Sequence, residues 1–290
     1  MKQFLQQIIK DHLTPEAFDW LSGKLQDKQE HFSLEQFGAV FTAIPRKVGK
    51  TIIILGKKEK EMLISLRKGF SPDGWTAARF CRVWWLLHLP AAEEKGYLES
   101  ITGLFRNADM EEQVALYSAL PLLSYPQKFT QRASEGIRNS MGALFEAVAL
   151  NNPYPSEYLE EPAWNQLVLK AFFMDKPVHR IIGLDERANK NLARILSDYA
   201  HERWSAGRPV NPQLWRPVGK FIDEIIIGDI ERLFASGDAL EVEAAALACS
   251  QSDYPGAKEL LKAHLPLKRK IEAGELSWES HSIIQSPNHK

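Results

Sequence analysis

Cysteine is scarce, with only Cys81 and Cys249 in 290 residues. Each lies inside an apolar helical pattern, and no CxxC or paired Cys/His spacing occurs. A disulfide framework and a zinc-nucleated fold are thereby excluded, and two reduced core thiols are expected. Long hydrophobic runs are missing as well. The longest, VWWLLHL and TIIIL, fall far short of the roughly 20 residues that span a bilayer. The opening MKQFLQQIIKDHLTPEAF has no sustained apolar core and no small-residue cleavage site, so no signal peptide is expected. Nor is there an excess of one charge: 36 Lys and Arg face 37 Asp and Glu, for a net charge of −1. A dedicated nucleic-acid binder usually shows its phosphate-facing surface in its net charge, so no nucleic-acid partner is expected.

Familiar catalytic signatures are also absent. RKVGKT (46–51) has the tail of a phosphate loop, but Ile44 stands where the first glycine belongs. HERW (201–204) has no second histidine four positions on and is not a zincin motif. No Gly-x-Ser-x-Gly elbow occurs. No cofactor and no metal is expected. Arg46, Lys47, Lys50, Lys57, Lys58 and Lys60 make one locally basic region, read first as a solvated face.

What is present is helical periodicity from end to end, at 44% hydrophobic and 25% charged residues. Helices are predicted over 57–66, 75–89, 92–105, 110–120, 130–149, 156–173, 185–206, 223–234, 239–248 and 255–263, after three more near the N-terminus. Thr14-Pro15 and Ser33 read as helix starts. Ser71-Pro-Asp-Gly, Asn152-Pro-Tyr-Pro and Asn211-Pro read as stops. TIIIL (51–55) is strand-like but isolated, so it reads as extended loop or helix edge. Short links between such helices predict an all-α fold, an irregular HEAT-like solenoid of antiparallel helices in one domain over 1–275, with a globular α bundle as the alternative. Residues 276–290 read as a flexible tail.

Two predicted helices carry polar stripes. Over 185–206, Ala188, Leu192, Ile195 and Tyr199 form an apolar stripe at 100° per residue. Arg187, Asn191, Arg194, Asp198 and Glu202 lie beside it, and Lys190, Ser197 and His201 face a third way, toward solvent. Arg194 and Asp198 are spaced for an i,i+4 ion pair. Over 130–149, Ile137, Met141, Leu144 and Val148 make the core stripe. Glu135, Asn139, Gly142 and Glu146 lie opposite, with Gly142 in the helix interior. Most tryptophans read as core, but Trp164 and Trp204 border polar clusters, each with an indole N–H to place.

A resemblance adds to this. ALYSALPLLSYP (115–126), ASEGIRNSMGALFEAVALNNPYPSEYL (133–159), AWNQLVLKAFF (163–173) and GLDERANKNLARILSDYAHERWSAGRPVNPQLW (183–215) are similar to the EboA family of metabolite-traffic proteins. IPRKVGK (44–50) and DALEVEAAALACSQS (238–252) also resemble it, whereas the first 40 residues and 51–70 depart most. The resemblance implies a role in moving or processing a secondary metabolite. It implies partners encoded in the same gene cluster, a membrane prenyltransferase-like protein among them. It supplies no catalytic residue. Cytoplasmic placement is expected, with peripheral contact at the inner membrane left open.

On this reading, residues 130–215 build a polar-aromatic groove. Its binding residues would be Glu135, Arg138, Asn139, Asn152 and Tyr154, then Trp164, Asn165 and Lys170, then Arg187, Asn191, Arg194, Asp198, Glu202 and Trp204. The leading expectation is a non-catalytic helical adaptor. One alternative is a carrier of a prenylated or aromatic metabolite, and a second is an enzyme using Glu135, Asp198 or His201. The same residues at the same spacing would also make a polar network that fixes helix packing.

Overall fold

A computed structural model describes residues 1–30 and 33–284. The fold is all-α: among the described residues there is no strand, only an isolated bridge between Ile52 and Thr76. The chain divides into two compact units, Met1–Leu159 and Glu160–Lys290. One domain over 1–275 is expected from the sequence, and the division falls inside the turn-rich stretch 151–173.

The first unit contains α1 (Lys2–His12), α2 (Pro15–Glu30), α3 (Leu34–Val48), α4 (Lys57–Leu66), α5 (Ala77–Leu86), α6 (Glu94–Asn107), α7 (Met110–Ala119), α8 (Thr130–Arg138), α9 (Gly142–Ala149) and the short α10 (Tyr154–Tyr158). Ser33 caps α3 by accepting from the Gln36 N–H, and Thr76 caps α5 through Arg79. Asp109 and Glu112 form a capping box at α7. The centre is α5. Every one of its residues except Arg79 is buried, because α1, α3 and α7 all pack against it. A helix apolar all round belongs inside a core.

That core contains one charge pair. Arg82 is 2% exposed and Glu112 5%. The Arg82 guanidinium donates to the Phe41 carbonyl at 3.0 Å and to Glu112 at 3.4 Å. Glu112 also accepts from the Thr42 hydroxyl at 2.7 Å and the Asp109 N–H at 3.0 Å. Burial pulls the Arg82 guanidinium down, and Glu112 opposes that shift. Trp84 and Trp85 place their indole N–H groups on the carbonyls of Lys2 and Phe37.

TIIIL is extended loop, as expected, but it has a partner. Ile53 and Ala77 donate to the carbonyls of Trp75 and Thr51, so the run is tied to the start of α5.

The predicted 130–149 helix is broken. Asn139 accepts from the Met141 N–H through its side chain at 2.8 Å, a local bond that competes with helix continuation. Met141 is consequently exposed at 51%, not core, and Gly142 opens α9 instead of sitting mid-helix. The tight point is Gly136: a Cβ there would lie 2.7 Å from Val148 and 2.8 Å from the Tyr117 ring.

The NNPYP stretch is a pinned turn. Asn151 adopts left-handed φ (51°), which Asn tolerates better than most residues. The Asn152 amide donates to Ala147 and Tyr117 carbonyls, and its oxygen accepts from the Tyr154 N–H. The fully buried Tyr154 hydroxyl donates to the Pro126 carbonyl at 2.6 Å.

The second unit contains α11 (Glu161–Phe173), α12 (Lys190–Ser205), α13 (Ile227–Phe234), α14 (Ala239–Gln251), α15 (Pro255–Ala263), α16 (Leu265–Glu272) and α17 (Trp278–Ile284). Its hub is α14. Ala244 to Cys249 are all buried, and small side chains let α13, α15, α16 and α17 close on one helix. Of the tail expected at 276–290, residues 278–284 form α17, held because Trp278 and His281 are buried and His281 meets the Leu240 carbonyl at 3.0 Å. Residues 285–290 lie outside the described residues.

Gly136→Ala should destabilise the chain by about 1–3 kcal/mol, because the added methyl overpacks a closed contact. Chemical denaturation would read this, and an unchanged midpoint would contradict the packing described. His88, set against the Trp84 ring, has its pKa lowered by burial to about 4 from 6.5. Between those values the unfolded chain holds a proton that the folded chain refuses. Stability should therefore fall as pH drops through about 6.5 toward 4, by at most about 3 kcal/mol from this group. Denaturation at stepped pH checks it, since His88→Gln should flatten that slope.

Candidate functional site

Nine of the expected binding residues, Trp164 through Trp204, fall in the second unit, where Trp164, Asn165, Arg187 and Asn191 join one cluster and Trp204 another. The first joins α11 to the start of α12. Pro162 suits the opening turn of α11, and the helix then turns Trp164 and Asn165 inward, at 0% and 4% exposure. Asn189 caps α12 by accepting from the Leu192 N–H at 2.8 Å. Its amide nitrogen donates to Asn165 at 2.9 Å, and Asn165 returns a bond at 3.3 Å. One asparagine thus starts a helix and ties it to the next. Asn191 donates to Glu161 at 2.7 Å.

Over this amide pair the Arg187 guanidinium lies on the Trp164 ring, 4.8 Å from its centroid. Burial pulls Arg187 down, while Glu160 and Glu161 push it up. The Trp164 indole N–H is buried with no acceptor. A half-buried cation on an aromatic face is worth about 0.5–2 kcal/mol depending on desolvation. This arrangement offers a half-buried guanidinium, an exposed amide and a carboxylate rim. It offers no nucleophile.

The second cluster joins α12 to α13. Asp229, 6% exposed, accepts from the Ser197 hydroxyl at 2.6 Å and meets His201 at 2.5 Å. Trp204 stacks on Trp215 at 5.9 Å, with Arg232 at 4.3 Å from its ring. A surface cavity of about 560 Å³ opens beside His201, Trp204, Asp229 and Arg232. Serine, aspartate and histidine meet here, but the carboxylate stands between the other two. A base-activated nucleophile needs the imidazole on the hydroxyl, so this cluster works as a helix-to-helix tie. Among the described residues no group of three or more His, Cys, Asp or Glu stands close enough to hold a metal ion.

Several expectations about 185–206 need correction. The helix begins at Lys190, because the Asn189 cap ends the preceding turns. Arg187 therefore precedes the helix, and its position over Trp164 comes from a loop. The buried face is Leu192, Ala193, Leu196, Ser197 and Ala200, one residue round from the predicted stripe, so Ile195 and Tyr199 are only half-buried. Ser197 is buried against Asp229 of α13, where solvent was expected, whereas Lys190 and His201 are exposed as expected, His201 meeting Asp229 at its edge. Arg194 pairs with Asp223 in place of Asp198, and Asp198 and Glu202 are exposed. Lys170 is half-buried, with its ammonium pulled down by burial.

The other five expected residues lie in the first unit. Glu135 pairs with Arg132 at 2.9 Å, and Arg138 is exposed. Asn139, Asn152 and Tyr154 make the local turn bonds described above. Sequence reasoning missed Glu161, Asn189, Asp223, Asp229 and Arg232. Asn189 had a signal, an asparagine three residues before the first apolar position of a helix. The others are long-range partners with no local pattern.

Asn189→Ala removes a cap and leaves the buried Asn165 amide unpaired, so a loss of about 2–3 kcal/mol is expected. A double-mutant cycle with Asn165→Ala, read by urea denaturation, should give a coupling above about 0.5 kcal/mol. Strict additivity would contradict the reciprocal amide bond.

Comparison with known proteins places this geometry in a family. A family model described as metabolite traffic protein EboA matches residues 1–219. The match includes the first 40 residues and 51–70, where the resemblance read from sequence is weakest. It ends before 238–252, which had been read as similar. No curated protein and no solved structure matches the chain. The match takes in the whole first unit and both α11 and α12, and the chain belongs to the EboA family of metabolite traffic proteins.

Proposed function

We propose that the chain serves metabolite traffic as a non-catalytic adaptor, and that its recognition face in the second unit is the surface around Trp164, Arg187 and Asn191. Family membership supports the traffic role. The observation that carries the adaptor reading is the Arg187 guanidinium resting on the buried Trp164 ring, beside the exposed Asn191–Glu161 pair. A half-buried arginine held in place by a tryptophan beneath it, beside an exposed amide and carboxylate, suits a protein partner's backbone and acidic side chains. The partners in this reading are products of the same metabolite-traffic gene cluster, with a membrane prenyltransferase-like protein among them. Among the described residues no helix is long and apolar enough to cross a membrane, so contact with such a partner would be peripheral. The enzyme reading has less support, since Asp198 is exposed and His201 is engaged with Asp229.

The reading is tested by purifying the tagged chain from its own host and quantifying co-eluting cluster products by mass spectrometry. Arg187→Ala should reduce their recovery about tenfold or more, with the purified chain still folded by circular dichroism although loss of the stack costs it about 0.5–2 kcal/mol of stability. Equal recovery with the variant, or no cluster product with either, would overturn it.

A further inference from the structure

The first unit holds a second, unassigned concavity. A groove of about 720 Å³ runs between α2 and α3, within the roughly 300–1,000 Å³ typical of small-molecule sites. The sequence explains why it is open. Trp20, Lys24 and Lys28 recur every four residues on α2, while Val40, Ala43 and Lys47 lie along the facing side of α3. Ala39 and Ala43 are too small to fill the space opposite Trp20.

The floor is aromatic. Phe37 and Trp85 are 2% and 1% exposed, and their rings stack at 4.9 Å and 22°. Trp20 and Val40 are half-buried along the sides. The rim is basic: Lys24, Lys28 and Lys47 line the groove, against one acid among the described residues, Asp27, which Lys24 meets at 2.9 Å. In a chain of net charge −1, that is a local positive excess over an apolar slot. The Lys28 ammonium donates to the His88 carbonyl and lies 6.0 Å from the Phe37 ring centroid, so it hangs over the floor at one end.

We propose that this groove binds a small anionic amphiphile: a flat apolar body between the Trp20 and Val40 walls, above the floor that Phe37 and Trp85 close, with one carboxylate, sulfonate or phosphate head among Lys24, Lys28 and Lys47. The size and the charge select this class together. Aromatic walls take a planar apolar body, and ammonium groups beside an apolar floor favour an anion more strongly than they would in open water. Burial, with Lys2 adding to it, pulls the Lys28 ammonium down. The proposal goes beyond the adaptor reading and does not depend on it.

Two probes with nearly the same ring system test it on the full chain. They are 8-anilinonaphthalene-1-sulfonate and the uncharged N-phenyl-1-naphthylamine, each titrated by fluorescence and calorimetry. The sulfonate should bind at one site, about tenfold or more tighter than the neutral probe. Lys47→Gln combined with Lys24→Gln, both at the rim, should remove most of that preference while leaving the neutral probe within about twofold. Ala39→Trp, a substitution at an exposed position on α3, should fill the groove and abolish binding of both probes. Melting temperatures and circular dichroism report whether each variant is folded, and the lysine variants decide the matter if Ala39→Trp is not. Equal affinity for the two probes, or sulfonate binding indifferent to the lysine changes, would overturn the proposal.

Discussion

The first unit depends on one buried ion pair. Helix α5 is enclosed on all sides, and Arg82 would be intolerable there alone, since an unpaired buried charge costs several kcal/mol. Glu112 answers it, but only because α7 starts where it does: the same carboxylate that caps α7 through Asp109 also reaches Arg82 and Thr42. The pair therefore couples the start of one helix to the register of another and to the backbone of α3 at Phe41. Apolar contacts alone would let α3, α5 and α7 slide against one another. A charge that can be satisfied in only one arrangement fixes that register.

The second unit uses the same economy with an amide pair and a single carboxylate. Asn189 is both a cap and a cross-helix bond. Asp229 ties α12 to α13 through two side chains of α12 one turn apart. In both places polar residues that look functional on a helical wheel are spent on packing. What stands apart is the Arg187–Trp164 stack, in which a cation and a buried indole are placed beside an exposed amide–carboxylate pair.

Most helices were legible from periodicity and punctuation: α4 and α15 run over the predicted residues, and the caps at Ser33 and Asn152-Pro-Tyr-Pro's role as a stop follow from local chemistry. The errors share one cause. Asn139 and Asn189 each bond to backbone a few residues on, and a 100° wheel drawn through either position slips in phase beyond it, although Leu144, Val148 and Leu192 stay on the buried face as predicted. That is why Met141 was read as core and Ser197 as solvent-facing. Partner choice was illegible for a different reason: Arg194 has Asp198 at ideal local spacing, yet Asp223 comes closer through the tertiary fold. The α2–α3 groove left no signal except two alanines and three lysines, which mean little until two helices are set side by side.

The proposed adaptor role requires that this chain hold another molecule. The most direct measurement is native mass spectrometry of the chain released gently from its own host, without crosslinking. An adaptor should be recovered above its bare mass, in a discrete complex of fixed stoichiometry. Recovery of the bare chain alone, at every growth stage sampled, would contradict it.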